Sequence, residues 1–141
     1  MSEIPLTSEK ISQLREAFAS IPYARLLGIE FEHAARGTAS LSMNARPELE
    51  RFGGIIHGGA LASLVDTASA FAVISMLEAE EQTVTVDLTL HYLRPATSGD
   101  KLTAHARVLR AGRRIATVSV EVSNDSNSLV ATALTTYLKL H

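Results

Sequence analysis

The stretch GGALASLVDTASAFAVISML, residues 58 to 77, decides how this chain folds. Its side chains are small or apolar almost throughout, and Asp66 is its one charged residue. A helix without a polar face is either a membrane span or a helix buried inside a protein. A central Asp costs a lone membrane span about 2.5 to 3.5 kcal/mol, so we predict a buried helix over residues 58–80 and a layer that surrounds it.

The rest of the chain contains strand patterns for such a layer. Residues 83–93 alternate apolar and polar side chains, with the apolar set running from Val84 to Tyr92 on one face. Three more patterns complete a set of four main strands over residues 83–138, separated by the turn sequences PATSGD, AGRR and NDSN. Two shorter strand patterns, LLGIEFEH and TASLSM, precede the buried helix.

The N-terminal residues predict a further helix. Apolar side chains recur at helical spacing over residues 7–21, and Pro22 is expected to end this helix. The element order is therefore helix, two strands, buried helix and four strands, without a repeat or a linker. We predict an α+β fold in one domain over residues 1–141: a curved antiparallel sheet wrapped around one long central helix, with a short N-terminal helix.

Composition excludes several classes of protein. With a formal net charge of -2 and 5% aromatic residues, the chain lacks the basic surface and the stacking platforms of a nucleic-acid binder. The absence of cysteine excludes disulfides and a cysteine nucleophile, and the histidines show no metal-ligand spacing, so no metal site is expected. The N-terminus MSEIPLTSEK has no signal-peptide pattern, so a cytoplasmic protein is expected, with no membrane attachment.

His57 stands directly before two glycines that open the predicted buried helix. Glycine is a poor helix former, by about 1 kcal/mol relative to alanine, so Gly58 and Gly59 need an explanation. Without side chains, they let a ligand reach the free N–H groups of the first turn, where the helix dipole suits a carbonyl oxygen that acquires negative charge. The alternative is that the glycines only permit a tight turn from loop to helix.

Asp66 lies in the middle of the same helix, among small residues at helical spacing. Burial of an unpaired carboxylate is costly, which favours a functional site, although a structural Asp held by nearby hydroxyls stays open. The rise of a helix, about 1.5 Å per residue, separates His57 from Asp66 by about 13 Å. Two such helices packed antiparallel about a two-fold axis would bring His57 of one chain near Asp66 of the other, which predicts catalysis by a dimer.

Two motifs of the chain resemble a known family. HGGALASLVD, residues 57–66, and TVDLTLHYLRPA, residues 85–96, are similar to the phenylacetate-type (PaaI-like) hotdog-fold acyl-CoA thioesterases. The resemblance implies the hotdog fold and the hydrolysis of an acyl-CoA thioester to free acid and CoA, without a metal or a cofactor. It also implies that the N–H of Gly58 polarises the thioester carbonyl and that Asp66 of the partner subunit is the general base or nucleophile. His57 would orient the thioester, and Thr85 would hold the hydrolytic water.

The chain departs from the family pattern six residues before the histidine, where many members have Asn and this chain has Arg51. Arg51 is expected to meet a phosphate or an acidic substrate, unless the adjacent glycines shift the loop. Further arginines in or beside turns are candidates for the CoA phosphates, because guanidinium groups bind phosphate through paired hydrogen bonds. A solvated turn is the alternative for them. The substrate-binding candidates are Arg51, Gly54, Gly59, Arg94, Arg113 and Arg114.

Two other functions stay open. A hotdog hydratase or dehydratase would use the same helix and glycines, although the motifs associated with those enzymes are absent. A non-catalytic acyl-CoA binding module would keep the groove and the glycines but would not need Asp66. A homodimer, paired further into a homotetramer, is expected because the small residues of the buried helix and the long strands leave surface that one subunit does not cover.

Overall fold

The structure is a computed structural model that describes residues 2–140, so residues 1 and 141 of the predicted domain lie outside it. The predicted order of helices and strands is confirmed, with one additional short helix near the N-terminus. The elements are α1 (Ser8–Ala19), α2 (Pro22–Leu27), β1 (Ile29–Ala35), β2 (Thr38–Asn44), α3 (Gly58–Ile74), β3 (Gln82–Tyr92), β4 (Lys101–Ala111), β5 (Ile115–Ser123) and β6 (Leu129–Leu140), with a 3-10 turn at Pro47–Leu49.

The strands form one antiparallel sheet around α3. Their order across the sheet is β1-β2-β4-β5-β6-β3, so β1 and β3 are its edges. α3 packs against all of these strands, and more than half of its residues are buried. The predicted curved sheet around a central helix is therefore confirmed. None of the helices within residues 2–140 has the length and the apolar character needed to cross a membrane.

The central helix is shorter than predicted: it ends at Ile74, whereas the sequence pattern suggested residue 80. Ser75 is buried at this end, and its hydroxyl donates to the carbonyl of Ala72 over 2.7 Å. The same hydroxyl accepts from the N–H of Gly37, in the β1–β2 turn, over 2.7 Å. The helix therefore ends where the β1–β2 turn contacts it, and local sequence does not reveal such a tertiary contact.

The helix α2 begins at the residue that was expected to end α1. Pro22 is the first residue of α2, a position that tolerates proline because an N–H there would have no helical partner. α2 ends at Leu27 and is capped by Gly28, whose φ of 74° lies in the left-handed region that favours glycine. Leu26 and Leu27, predicted at the start of the first strand, therefore belong to a helix, and β1 begins at Ile29.

The edge strand β3 departs from the predicted alternation. Its pairing with β6 shifts register between Thr85 and Asp87, and such a bulge exchanges the faces to which the side chains point. Thr85 lies opposite Tyr137, which is buried, and Leu88 and Leu90 pack against the core. The predicted apolar face is therefore wrong for the first residues of β3. Thr85, and not the exposed Val84, lies on the helix-facing side with the two leucines.

An aromatic cluster joins α3 to the N-terminal part of the fold. The ring of Phe71 on α3 contacts the rings of Phe18 on α1 and Phe31 on β1, with centroid distances of 5.6 Å and 6.0 Å. All three pairs in the cluster meet edge to face, the arrangement that aromatic quadrupoles favour. Phe71 is buried, so its packing holds α1 and the first edge strand onto the central helix.

We expect Phe71→Ala to lower the free energy of unfolding by about 3 to 5 kcal/mol, because the truncation leaves a cavity between α1, β1 and α3. Urea unfolding followed by circular dichroism measures this loss. Phe52→Ala is the matched control, because Phe52 is 87% exposed and its loss should change stability by no more than about 0.5 kcal/mol. Equal losses in the two variants would contradict the core position of Phe71.

Candidate active site

His57 caps the N-terminus of α3. Its Nδ1 accepts a hydrogen bond from the N–H of Gly59 over 2.8 Å, and its carbonyl accepts from the N–H of Ala60 over 3.0 Å. The N–H of His57 donates to the carbonyl of Leu49 over 2.8 Å, which fixes the residue from the loop side. Because Nδ1 is an acceptor, the proton of the neutral imidazole is assigned to Nε2, and that nitrogen is available as a donor.

Close neighbours explain both glycines after His57. A Cβ built on Gly58 would lie 3.0 Å from Cζ and 3.0 Å from the hydroxyl oxygen of Tyr92. A Cβ on Gly59 would lie 2.9 Å from Nδ1 of His57. Tyr92 donates its O–H to the carbonyl of Gly58 over 2.6 Å, and burial raises the pKa of this phenol, so it remains a neutral donor. A side chain at either position would displace a ring that the helix terminus uses.

A free donor and a cavity meet at the start of α3. The N–H of Gly58 has no hydrogen-bond acceptor among residues 2–140, because the first residue of a helix has no preceding helical carbonyl. A cavity of about 370 Å³ opens beside it. Its walls include the apolar side chains of Ile56, Leu61 and Leu93, and its lining also includes Arg51 and Arg94. An acyl group with a polar or anionic extension matches this combination of surfaces.

The two arginines of the cavity keep donors for a ligand. Arg51 donates from Nη1 to the carbonyl of Phe52 over 2.7 Å, and its guanidinium lies 4.8 Å from the centre of that ring. Arg94 donates from Nε to the carbonyl of Leu129 over 3.1 Å. Within the part of the chain that the structure describes, neither guanidinium forms an ion pair. Their remaining N–H groups are therefore available to a phosphate or a carboxylate.

Asp66 lies two turns farther along α3, beside strands β3 and β6. Thr85 donates from Oγ1 to Oδ1 of Asp66 over 2.8 Å, and the phenol of Tyr137 donates to the same oxygen. The hydroxyl oxygen of Tyr137 also lies 2.6 Å from the main-chain carbonyl oxygen of Asp66. Burial first, and then the hydrogen bond to Asp66 and its negative charge, raise the pKa of Tyr137 far above its usual range, so this phenol stays protonated.

The predicted catalytic residues therefore form two groups along α3. Gly58 lines the cavity at the N-terminus of the helix, with His57 and Gly59 next to it but outside the lining, whereas Asp66 and the β3 residue Thr85 form the second group. The eight positions between Gly58 and Asp66 correspond to about 12 Å along a helix axis. No hydrogen bond joins the two groups within residues 2–140.

Three predicted substrate-binding residues lie away from the cavity. Gly54 lies in the loop before α3 with a φ of 77°, where only glycine is unstrained, and it does not line the cavity. Arg113 and Arg114 lie in the β4–β5 turn, where the carbonyl of Arg114 accepts from the N–H of Lys139 near the end of β6. The start of β3 pairs with this end of β6, whereas the cavity lies at the end of β3. One chain therefore does not bring these two arginines to Gly58.

Two tyrosines that contact these groups were not singled out from the sequence. Tyr92 was expected only as part of an apolar strand face, and it contacts Gly58. Tyr137 was not considered, although it stands in the strand pattern that ends the chain. A tyrosine on the core side of a strand needs a hydrogen-bond partner for its hydroxyl, and Asp66, in the middle of the predicted central helix, was a candidate.

Comparison with known proteins places the chain among thioesterases. The model of the Thioesterase superfamily matches residues 53–131. The acyl-coenzyme A thioesterase PaaI of Escherichia coli is 35% identical over 109 residues, which are 77% of this chain and 75% of that protein. The medium/long-chain acyl-CoA thioesterase YigI of Escherichia coli is 29% identical over 154 aligned positions, which cover 98% of this chain and 99% of YigI.

A solved structure has the same fold. The structure of the Escherichia coli PaaI protein from the phenylacetic acid degradation operon matches with a TM-score of 0.88 and 30% sequence identity. The match covers 95% of this chain and 96% of that chain. The likeness therefore includes all of the elements around α3.

We expect Gly59→Ala to destabilise the parent protein but to stabilise the His57→Ala variant. In the parent, the new methyl group collides with the His57 ring and breaks the cap of α3. In the His57→Ala background, no other neighbour lies within 4 Å of the new Cβ, and alanine favours a helix by about 1 kcal/mol over glycine. Urea unfolding of the four proteins gives the double-mutant cycle. If Gly59→Ala changes the free energy of unfolding in the same direction in both backgrounds, this explanation of Gly59 is refuted.

Proposed function

Because the chain belongs to the thioesterase superfamily, as a PaaI-like hotdog thioesterase, we propose that it hydrolyses acyl-CoA thioesters to the free acid and CoA. The observation that carries this proposal is the unbonded N–H of Gly58, at the start of a buried helix and beside a cavity. A donor of this kind, aligned with the helix dipole, stabilises the negative charge that a thioester oxygen acquires when its carbon is attacked.

His57, the N-cap of α3, supports the same step with a second donor. Its Nδ1 is occupied by the N–H of Gly59, so Nε2–H is the donor that remains for the thioester. Gly59 serves the site by leaving room for this ring. In this proposal, Gly58 polarises the carbonyl and His57 orients the thioester group.

Asp66 supplies the carboxylate of the reaction. As a general base, it takes a proton from water while the water oxygen forms a bond to the carbonyl carbon; the C–S bond then breaks and the thiol leaves with a proton. As a nucleophile, it would attack the carbonyl carbon itself; the C–S bond would break, the CoA thiolate would leave, and water would then hydrolyse the resulting anhydride to the free acid and the regenerated carboxylate. Thr85 donates its only proton to Asp66, so it offers lone pairs to the hydrolytic water and accepts that water's second proton in a hydrogen bond.

The carboxylate of a partner subunit completes the site. About 12 Å of helix separates Gly58 from Asp66 of the same chain, which is too far for both to act on one carbonyl. Tyr92 and Thr85, one from each group, both belong to the edge strand β3. Antiparallel pairing of two β3 strands about a two-fold axis would set the Thr85 half of one strand against the Tyr92 half of the other. The proposed unit is a homodimer, and two dimers would pair into a homotetramer.

The arginines serve the anionic part of the substrate. Arg51 and Arg94 line the cavity beside Gly58 and are assigned to a phosphate of CoA or to an acidic acyl group. Arg113 and Arg114 lie at the end of the sheet where β3 begins, so they reach a substrate only across a dimer in which the β3 strands run antiparallel. Gly54 shapes the loop that carries Arg51.

We expect Asp66→Asn to bind acyl-CoA with nearly parental affinity and to lose turnover by at least about 100-fold, because the amide keeps the shape but neither takes a proton nor attacks. Thiol release from short-chain, long-chain and aromatic CoA thioesters measures kcat and KM. Isothermal titration with a slowly hydrolysed acyl-CoA analogue measures binding. Parental turnover in the variant would remove Asp66 from the chemistry, and an absence of thiol release with every thioester would refute the proposed activity.

Mixed dimers test whether the site is shared. Gly58→Ala and Asp66→Asn damage different groups, so each homodimer should be nearly inactive. A heterodimer of the two variants contains one site with both groups intact if Asp66 acts in trans, and none if it acts in cis. We therefore expect refolding of the mixed chains to restore about a quarter of the parental activity, since half of the dimers would carry one intact site of two. If the refolded mixture sediments as a dimer but recovers no thioesterase activity, the shared site is contradicted.

A further inference from the structure

The carboxylate of Asp66 is held through one of its two oxygens. Oδ1 receives a hydrogen bond from Oγ1 of Thr85 over 2.8 Å and a second one from the hydroxyl of Tyr137. In the part of the chain that the structure describes, Oδ2 receives none. The two donors come from different strands, β3 and β6, and they are cross-strand partners in the sheet. The carboxylate is thus fixed in orientation, with one oxygen anchored and the other free.

We propose that Tyr137 is a positioning residue for the reaction: together with Thr85 it anchors Oδ1 of Asp66, so that Oδ2 is the oxygen that acts on water or on the thioester. This inference rests on the proposed thioesterase function. It adds a residue from the last strand, which does not itself touch the substrate because its side chain is buried. It also assigns separate roles to the two oxygens of the carboxylate.

The chemistry of the two donors suits this role. A carboxylate anchored by lysine or arginine would lose basicity through the neighbouring positive charge, whereas neutral hydroxyls orient it and leave its charge unpaired. Tyr137 keeps its proton because burial and the adjacent negative charge both oppose ionisation of the phenol. It therefore remains a neutral donor to Asp66.

The bulge in β3 makes the arrangement possible. Without the register shift between Thr85 and Asp87, regular alternation with Leu88 and Leu90 would turn Thr85 away from α3. With the shift, Thr85 lies opposite Tyr137 on the helix-facing side, and both hydroxyls converge on one oxygen. The bulge thus directs a side chain to the carboxylate, a use for which bulges near active sites are known.

A purely structural role makes a different prediction, because Tyr137 also donates towards the main-chain carbonyl of Asp66. If the phenol only tied β6 to α3, its removal would lower stability and leave the chemistry of the folded enzyme unchanged. If it positions the carboxylate, kcat must fall in molecules that remain folded, and only while the carboxylate is present.

The test compares Tyr137→Phe and Thr85→Val in the parent and in the Asp66→Asn background. Each variant keeps the shape of its side chain and removes one donor to Oδ1. We expect kcat for thiol release to fall by about 10- to 100-fold in each single variant with little change in KM, as for loss of a hydrogen bond to a charged group. In the Asp66→Asn background, neither change should lower the residual rate further.

Thr135→Val is the matched control. Thr135 lies on the same strand, is fully buried, and its hydroxyl has no hydrogen-bond partner within residues 2–140, so its replacement should leave kcat unchanged. Parental kcat in folded Tyr137→Phe, or an equal further loss in the Asp66→Asn background, would overturn the inference while the proposed function stands. If Tyr137→Phe does not fold, Thr85→Val tests the anchoring of Oδ1 through the comparison with the Asp66→Asn background, because loss of a contact to the hydrolytic water alone would lower the residual rate there as well. Parental turnover in Asp66→Asn would overturn both the inference and the catalytic role of Asp66.

Discussion

A helix without a polar face has to be covered on every side, and the rest of this structure depends on how α3 is covered. The sheet covers most of it, because all of the strands contact the helix and β1 and β3 form the two edges. α1 adds a further cover through Phe18, which meets Phe71 where the sheet edge β1 begins. The hydrophobic burial of α3 thus requires a second layer around it, and the sheet is that layer.

The need to cover α3 also explains why a charged residue in this helix, Asp66, indicates a functional site. A carboxylate in a helix that is covered by apolar side chains is costly unless hydrogen bonds compensate for the lost water. The fold provides two neutral donors, Thr85 and Tyr137, and both act on one oxygen. Asp66 is only half-buried, so its second oxygen needs no protein donor. A reactive carboxylate needs such an open oxygen, and the one-sided anchoring is compatible with that role.

The sequence was sufficient for the fold, and it singled out the start and the middle of α3 as candidate positions, because both predictions rest on local patterns. The apolar run over residues 58–77 and the glycines after His57 are visible without tertiary information. The features that were missed are set by contacts between distant segments. The helix ends at Ile74 because the β1–β2 turn meets Ser75, and β3 changes face because of a bulge that alternation does not reveal. Tyr137 was missed for the same reason, since its partner is far away in the sequence.

The sequence offered a tight turn and access for a ligand as explanations of the glycine pair, and the structure adds a third, the packing of two rings. A Cβ on Gly58 would crowd the Tyr92 ring, and one on Gly59 would collide with the His57 ring. These contacts need no ligand, so the glycines alone would not identify a carbonyl-binding site. The result of the packing, however, is a free N–H beside a cavity, with an imidazole donor next to it. Tyr92 contacts Gly58, Thr85 contacts Asp66, and both lie on the open edge strand β3, so each group of candidate residues is joined to the edge that a second subunit would cover.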